Sequence, residues 1–272
     1  MTTIAPMALL NKQVFVCLDC ETTGTDIYND RVIEFSAVRF SLEGGEIKSF
    51  DTLINPGIAI PKVSSDVHHI SDEMVAVSPS IAAVFDRIVK FVGDDIIVGH
   101  NINFDIGIIN AEAERLGPGA KTLSNRVIDT LRLAHRYSGG PLSNTLESLV
   151  QYFNVEEQGA AHRAMADVKA NVEVFRHLTV EFNAVEELMT ILAQPILMKR
   201  CPLKKYKGQP FENISVRYLY WAISSGLFSG DLLFSLKNEL KICSLPEQIK
   251  NQRALAYLSG VKPIRKPKGA SY

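Results

Sequence analysis

Residues 14–24 of the chain read Val14-Phe15-Val16-Cys17-Leu18-Asp19-Cys20-Glu21-Thr22-Thr23-Gly24. The first five residues are continuously apolar, a pattern typical of a strand that is buried on both faces of a sheet. Asp19 and Glu21 then follow two positions apart, and because strand side chains alternate, both carboxylates project from the same face. Two neighbouring carboxylates repel each other unless a cation neutralises them. The stretch therefore predicts a buried strand that ends in an acidic edge able to share a cation.

The residues downstream predict an α/β domain of about 170 residues. Two β-rich segments, 31–40 and 47–54, flank a Gly44-Gly45 turn and make a meander with the first strand. Strands and helices then alternate. We expect short strands at 96–98 and 127–128, and helices after Ser78-Pro79, over 103–116, over 130–137, from the capping-box pair Asn144 and Glu147, and from Met165 with no proline before Pro195.

Composition and charge narrow the classes of function. A chain of 272 residues with 46% hydrophobic content is neither disordered nor collagen-like, and its length fits one large domain or two unequal ones. The net charge of −1 conceals a strong asymmetry. Residues 1–197 carry 15 Lys and Arg against 26 Asp and Glu, whereas residues 198–272 carry 14 against 4. The basic C-terminal part predicts a polyanionic partner.

The cysteines and the N-terminus predict a cytoplasmic protein. Four cysteines, Cys17, Cys20, Cys201 and Cys243, are too few and too scattered for a disulfide framework. Residues 1–10 have neither the basic segment nor the long apolar segment of a signal peptide. No apolar run approaches the roughly 18 residues of a membrane span. We therefore expect no contact with a membrane.

Two further acids lie where the predicted elements meet. Asp105 comes soon after the predicted strand at 96–98, which places it near the same sheet edge as Asp19. Asp167 lies at the start of the last long helix, with His162 five residues earlier. Each has an ordinary structural alternative: Asp105 could cap a helix, Asp167 could be a first-turn acid favoured by the helix dipole, and His162 could be structural.

Three ordered motifs bring these residues together, and they resemble the motifs of the DEDD 3′–5′ exonucleases. They are Asp19-x-Glu21-Thr22-Thr23-Gly24, His100-Asn101-x3-Phe104-Asp105 and His162-x4-Asp167. The spacing of the third motif is similar to that of the branch that includes the proofreading epsilon subunit of bacterial replicative polymerase. The resemblance covers about residues 12–180. It implies a ribonuclease H-like fold, in which a mixed sheet is flanked by helices.

The resemblance also implies roles for these side chains. Asp19, Glu21, Asp105 and Asp167 would be catalytic residues that hold two Mg²⁺ ions, for which Mn²⁺ could substitute, because both are hard cations that prefer oxygen ligands. His162 would act as the general base. The resemblance implies that the backbone at Thr22, Thr23 and Gly24 holds the terminal nucleotide. We expect further contacts to the substrate from His100, Asn101 and Phe104, and from Lys205 and Lys207 of the basic C-terminal part. His100 and Asn101 could instead brace the site through hydrogen bonds, and we expect His68 and His69 to be polar surface residues. The alternative, which the resemblance implies for this segment, is an approach to the substrate end.

The basic C-terminal part contains the stretch 202–211, Pro-Leu-Lys-Lys-Tyr-Lys-Gly-Gln-Pro-Phe, followed by Tyr218-Leu219-x-Trp221. These residues resemble the small domain appended to exonuclease X-like enzymes. Residues 199–208 hold five Lys and Arg, and Tyr218, Tyr220 and Trp221 follow closely. This composition suits a module that holds a nucleic-acid strand, although the aromatic residues could equally form the core of a small domain. We expect an exonuclease domain over 10–182, a helical linker over 183–197, a small and mainly helical basic domain over 198–260, and a flexible basic tail over 261–272.

The resemblance implies a metal-dependent 3′–5′ exonuclease that acts on the single-stranded or frayed 3′ end of DNA. Such an enzyme would serve in proofreading, with a DNA polymerase subunit as a partner, or as a stand-alone repair nuclease. Two alternatives remain open from the sequence. The first is a 3′–5′ exoribonuclease of the same superfamily, because the motifs do not reveal a contact to the 2′-hydroxyl. The second is a non-catalytic scaffold subunit that binds nucleic acid.

Overall fold

The structure is a computed structural model that describes residues 9–138, 143–156, 163–244 and 262–263. These residues form two compact units. The first unit comprises 9–134, 143–156 and 163–191, and the second comprises 135–138, 192–244 and 262–263.

A five-stranded mixed sheet forms the centre of the first unit. Its strands are β1 (Phe15–Thr22), β2 (Val32–Ser41), β3 (Gly45–Leu53), β4 (Ile96–Gly99) and β5 (Val127–Asp129). Their order across the sheet is β3-β2-β1-β4-β5. The meander β1-β2-β3 is antiparallel, whereas β4 and β5 run parallel to β1. The C-terminal ends of β1 and β4 therefore meet at one edge of the sheet, which is where ligands bind in sheets of this kind.

Eight helices of the first unit accompany the sheet in the described residues. They are α1 (Lys62–His68), α2 (Asp72–Val75), α3 (Ile81–Val92), α4 (Asn103–Leu116), α5 (Thr130–Ala134), α6 (Leu146–Phe153), α7 (Ala164–Thr179) and α8 (Val185–Ala193). A single 3-10 turn, Leu10–Lys12, precedes β1.

The alternation of side chains along β1 gives the two faces of the sheet different partners. Val16, Leu18 and Cys20 belong to a buried core that also includes residues of α3 and α4. Phe15 and Cys17 project the other way, where the Phe15 ring lies edge-on to Phe175 of α7 at a centroid distance of 5.3 Å. Because Asp19 and Glu21 continue the series of Phe15 and Cys17, the strand presents both carboxylates on the α7 side.

The predicted fold class, a mixed sheet flanked by helices, is confirmed. Local differences concern the ends of helices. The helix expected over 130–137 ends at Ala134, and the cap of α6 is Thr145 rather than Asn144, because the Thr145 hydroxyl accepts a hydrogen bond from the Ser148 amide. The last long helix is interrupted without a proline: α7 ends at Thr179, and the carbonyl of Asn183 accepts a hydrogen bond from the amide of Leu10 before α8 begins.

The second unit is mainly helical in its described part. Helices α9 (Val216–Ser224) and α10 (Gly230–Cys243) follow two 3-10 turns, Lys204–Tyr206 and Phe211–Asn213. Its core contains the buried side chains of Cys201, Phe211, Ile214, Leu219, Ala222 and Leu236. Two short strands, β6 (Tyr137–Ser138) and β7 (Lys262–Pro263), pair in parallel. The boundaries predicted for the linker, the small domain and the tail remain predictions, and nearly all of the tail lies outside the described residues.

All four cysteines carry free thiols, and those of Cys17, Cys20 and Cys201 are buried. Among the described helices, none has both the length and the apolar content that crossing a bilayer requires. The expectation of a cytoplasmic location stays a prediction.

Candidate active site

Three carboxylates meet at the C-terminal end of β1. Asp19 and Glu21 come from the strand, and Asp167 comes from the first turn of α7. Each residue offers one carboxylate oxygen, and the three oxygens all lie within 4.8 Å of one another. The sequence predicted that Asp19 and Glu21 share a face, and the structure adds that α7 packs on that face and brings Asp167 to them.

Asp105 approaches the end of β1 from a different element. It lies in the first turn of α4 and is only 5% exposed. Strand β4 pairs with β1 only as far as the pair Cys17 and Val98, so the backbone of Cys20 on β1 lies beyond the last residue that pairs with β4. There the amide of Cys20 donates a hydrogen bond of 2.9 Å to Oδ1 of Asp105. Asp105 does not belong to the group of Asp19, Glu21 and Asp167, but its negative charge raises the pKa of Asp19.

Burial and mutual repulsion shift the protonation of this cluster. Burial first, and then the charges of Asp105 and Glu21, raise the pKa of Asp19 well above its usual value. Burial raises the pKa of Glu21 to about 8, with further contributions from the charges of Asp167 and Glu34. Burial also raises the pKa of Asp105 to about 7, against the hydrogen bond from Cys20. The cluster therefore carries more negative charge than its surroundings stabilise.

The donor set fits a hard divalent cation. Asp19, Glu21 and Asp167 supply only oxygen ligands, and their repulsion is what a bound cation would relieve. The two nearby thiols are not suitable soft ligands in this position. Cys17 interacts with Asn171, and its burial strongly raises the pKa of its thiol, while Cys20 projects into the opposite core.

A buried ion pair positions the helix that carries Asp167. Glu34 on β2 lies opposite Glu21 in the sheet register. The guanidinium of Arg163 contacts the Glu34 carboxylate at 3.2 Å through Nε and at 2.5 Å through Nη2, and the amide of Ala164 donates to Oε2 at 3.1 Å. The Glu34 carboxylate thus accepts a hydrogen bond from the amide of the first residue of α7, and this bond fixes where the helix begins. No motif in the sequence marks Arg163, and the available signal was the charged residue Glu34 within the apolar strand β2.

The loop after Glu21 is held by its own hydrogen bonds. The Thr22 hydroxyl donates to the carbonyl of Gly24, and the Thr23 hydroxyl donates to Oδ1 of Asp30 at 2.8 Å. The amide of Thr23 also bonds within the loop, to the carbonyl of Arg31. Thr23 therefore braces the loop through its hydroxyl and its amide, and the contact between the backbone of this loop and a substrate stays a prediction. Gly24 lies so close to Asp30 that an added Cβ would come within 2.4 Å of the carboxylate.

The His100-Asn101 pair lies beside the site and is tied to β5 and α5. Nδ1 of His100 lies 3.1 Å from the hydroxyl of Thr130. The amide of Asn101, which has a positive φ of 59°, donates to Oδ1 of Asp129. These contacts support the alternative that His100 and Asn101 hold the site in place through hydrogen bonds and do not bind the substrate themselves. Phe104, another predicted substrate contact, is partly buried and packs against the core.

Two histidine predictions have different outcomes. His68 is not a surface residue: only 2% of it is exposed, and its Nδ1 accepts a hydrogen bond from the amide of Ile70. It ends helix α1, whose Ser64 hydroxyl bonds to the carbonyl of Thr23 and so packs the helix against the loop. His69 is exposed, as expected. The predicted general base, His162, lies outside the described residues.

Comparison with known proteins gives a family match that includes this cluster. The family model RNase_T, described as an exonuclease, matches residues 16–175. DNA polymerase III subunit epsilon of Aquifex aeolicus is 35% identical over 162 residues, which cover 59% of this chain and 78% of that protein. A PolC-type DNA polymerase III of Caldanaerobacter subterraneus is 30% identical over 256 residues. The chain spans only 18% of the length of that polymerase.

A solved structure supports the fold. Exonuclease X, in complex with 5′ overhanging duplex DNA, matches 66% of this chain and 99% of its own, with a TM-score of 0.51 and 22% sequence identity. At that identity the likeness establishes a shared fold of the sheet and its helices.

Proposed function

Because the chain belongs to the RNase_T exonuclease family, we propose that it is a metal-dependent 3′–5′ exonuclease that hydrolyses DNA. The observation that carries this proposal is the convergence of Asp19, Glu21 and Asp167 at the end of β1, with Asp105 bonded beside them. Three carboxylates this close together repel one another, and a bound cation would relieve that repulsion. A non-catalytic scaffold is disfavoured for the same reason, because such repulsion lowers stability without a function that requires it.

The roles of the residues follow from what phosphodiester hydrolysis requires. Asp19, Glu21, Asp105 and Asp167 would hold two divalent cations, Mg²⁺ with Mn²⁺ as a substitute. When bound, such cations neutralise the phosphate and lower the pKa of water. Without them, Glu21 with its pKa of about 8 retains a proton at neutral pH, so the cluster exchanges protons for cations.

Other residues would orient the substrate and move the proton. We assign the terminal nucleotide to the backbone of the loop at Thr22, Thr23 and Gly24, because this loop directly follows Glu21 at the end of β1. His162 would be the general base, because an imidazole titrates near neutral pH and this residue directly precedes Arg163. Arg163 and Glu34 would keep Asp167 in place.

Support for DNA as the substrate comes from the relatives. The Aquifex aeolicus protein is a subunit of DNA polymerase III, and the exonuclease X structure contains DNA. We therefore place the chain in proofreading or repair, with a DNA polymerase subunit as a partner in the first case. Exoribonucleases of the same superfamily share the motifs, so the proposal is tested against RNA as well.

Matched DNA and RNA oligonucleotides of one sequence, labelled at the 5′ end, test the proposal. With Mg²⁺ we expect the DNA to shorten one nucleotide at a time from its 3′ end, and we expect a chelator to stop the reaction. Stepwise shortening of the RNA alone would show that the chain is an exoribonuclease and not a deoxyribonuclease. Loss of the 5′ label as a mononucleotide would contradict the direction, and cleavage of neither substrate would contradict the activity.

A further inference from the structure

A continuous series of aromatic rings lies on the second unit. The rings of Tyr206 and Tyr218 have centroids 5.0 Å apart, those of Tyr218 and Trp221 are also 5.0 Å apart, and Phe228 follows Trp221 at 6.4 Å. We call these four residues the aromatic series. The series runs from the first 3-10 turn of the unit along α9 and into the loop before α10.

The aromatic series is only partly explained by packing. Tyr206, Tyr218 and Phe228 lie against the core of the second unit and are partly buried. Trp221 is different: it is 50% exposed and does not belong to that core. An indole ring contributes a large apolar area when it is buried, so a half-exposed Trp beside other rings indicates a surface that a ligand can cover. The core alternative raised from the sequence therefore holds for Tyr218 but not for Trp221.

Positive charge surrounds the aromatic series. Nζ of Lys205 lies 5.5 Å from the ring centre of Tyr206 and 5.2 Å from that of Tyr218. Residues 199–244 carry eight Lys and Arg against three Asp and Glu. In the described part of the chain, Lys204, Lys205 and Lys207 have no carboxylate within ion-pair distance. These ammonium groups are exposed and available to an anionic partner.

We propose that the aromatic series and its lysines bind single-stranded nucleic acid. Bases would stack on the exposed face of Trp221, and the phosphates would contact Lys204, Lys205 and Lys207. A duplex hides the faces of its bases, so exposed aromatic rings favour an unpaired strand, while the positive charge favours its backbone. A protein partner would use the rings but would not require this excess of positive charge.

The proposal rests on the proposed function for the class of its ligand, but its test does not depend on catalysis. Trp221 is the only tryptophan of the chain, so the intrinsic fluorescence at its emission wavelength reports on this surface alone. With the full chain and a chelator present, we expect an unlabelled oligothymidine to quench that emission and an equal concentration of duplex to quench it less. Failure of the nuclease assay would leave this quenching intact, so the two proposals fail separately.

Two substitutions extend the test with labelled oligothymidine, chelator and fluorescence anisotropy. Trp221→Ala should weaken binding about tenfold, the loss expected for one stacked base. Tyr220→Ala is the matched control, because Tyr220 is an exposed aromatic residue on the same helix but lies outside the aromatic series. We expect its affinity to equal that of the unmodified chain. An equal loss in both variants would overturn the role of the aromatic series.

The charge component is tested by the dependence of affinity on salt. Lys205→Ala should reduce the slope of log affinity against log salt concentration by about 0.7, because one phosphate contact to a single strand is lost. Lys237→Ala, which removes the same charge from an exposed position on α10, should leave the slope unchanged. Binding without quenching of Trp221, or slopes that change equally in the two lysine variants, would contradict the proposal and indicate a different surface.

Discussion

Replacing Arg163 by methionine should both destabilise the first unit and weaken its affinity for Mg²⁺. The side chain of Glu34 is only 3% exposed, and Arg163 provides the only cationic contact to its carboxylate that we find among the described residues. The substitution leaves that carboxylate buried, with the amide of Ala164 as a remaining donor. A methionine keeps most of the apolar stem, so packing changes little.

The magnitude follows from the burial of the pair. Breaking a fully buried ion pair costs roughly 3–5 kcal/mol. The side chain of Arg163 is 35% exposed, so water can partly replace it, and we expect a loss of about 2 kcal/mol in the free energy of unfolding. For a unit of this size the midpoint of thermal unfolding should fall by about 4–8 °C. Circular dichroism of the metal-free protein measures this change.

The matched control is Arg126→Met. Arg126 and Glu186 form an ion pair at 2.8 Å, but both side chains are more than half exposed. Such a pair contributes about 0.5 kcal/mol, so its loss should hardly move the midpoint. Equal midpoints for the two variants would refute the idea that burial makes the Arg163 pair important.

A second readout separates positioning from stability. Because Glu34 and Arg163 fix the start of α7, we expect Arg163→Met to weaken Mg²⁺ binding about 10- to 100-fold in calorimetric titration. Adding Glu34→Gln removes the buried charge and should restore part of the stability. Metal affinity should stay low in that double variant, because the guanidinium contact between residue 163 and β2 is still missing. Recovery of full metal affinity would show that the ion pair does not position Asp167.

Two further perturbations act on the same site. In the metal-free protein, Glu21 and Asp105 have raised pKa values, so the folded state binds more protons than the unfolded state and its stability should fall as pH rises from about 4 to 8. Saturating Mg²⁺ should remove most of this decline. A midpoint of thermal unfolding that rises from pH 5 to pH 8 in the metal-free protein would contradict this. Gly24→Ala forces a Cβ against Asp30 and should cost about 1–3 kcal/mol, measured by denaturant unfolding, whereas Gly119→Ala, where a Cβ meets open space, should be tolerated.

The sequence predicted much of the sheet and part of the site because both depend on local patterns. The apolar run before Asp19 and the period of two along β1 were enough to place Asp19 and Glu21 on one face. The end of an apolar strand just before Asp105 was enough to place that residue near the same edge. In both cases the distance along the chain between the pattern and its consequence is short.

Other features could not be predicted because they depend on packing between distant segments. The partners Glu34 and Arg163 are separated by 129 positions, and nothing in the neighbourhood of either residue identifies the other. The burial of His68 depends on how α1 packs against the loop after Glu21. The end of α7 at Thr179 has no proline to mark it, and the segment that follows contacts a distant part of the chain, where the carbonyl of Asn183 accepts a hydrogen bond from the amide of Leu10.

The most direct test of the central claim compares the nuclease activity of Asp19→Asn and Glu46→Gln with that of the unmodified chain. Both variants remove one carboxylate charge from the same sheet, but only Asp19 belongs to the carboxylate cluster, and Glu46 is exposed on β3. With labelled single-stranded DNA and Mg²⁺, the account predicts that Asp19→Asn loses activity by at least about 100-fold, whereas Glu46→Gln degrades the strand at the normal rate. Normal degradation by Asp19→Asn would contradict the assignment of the cluster as the catalytic centre.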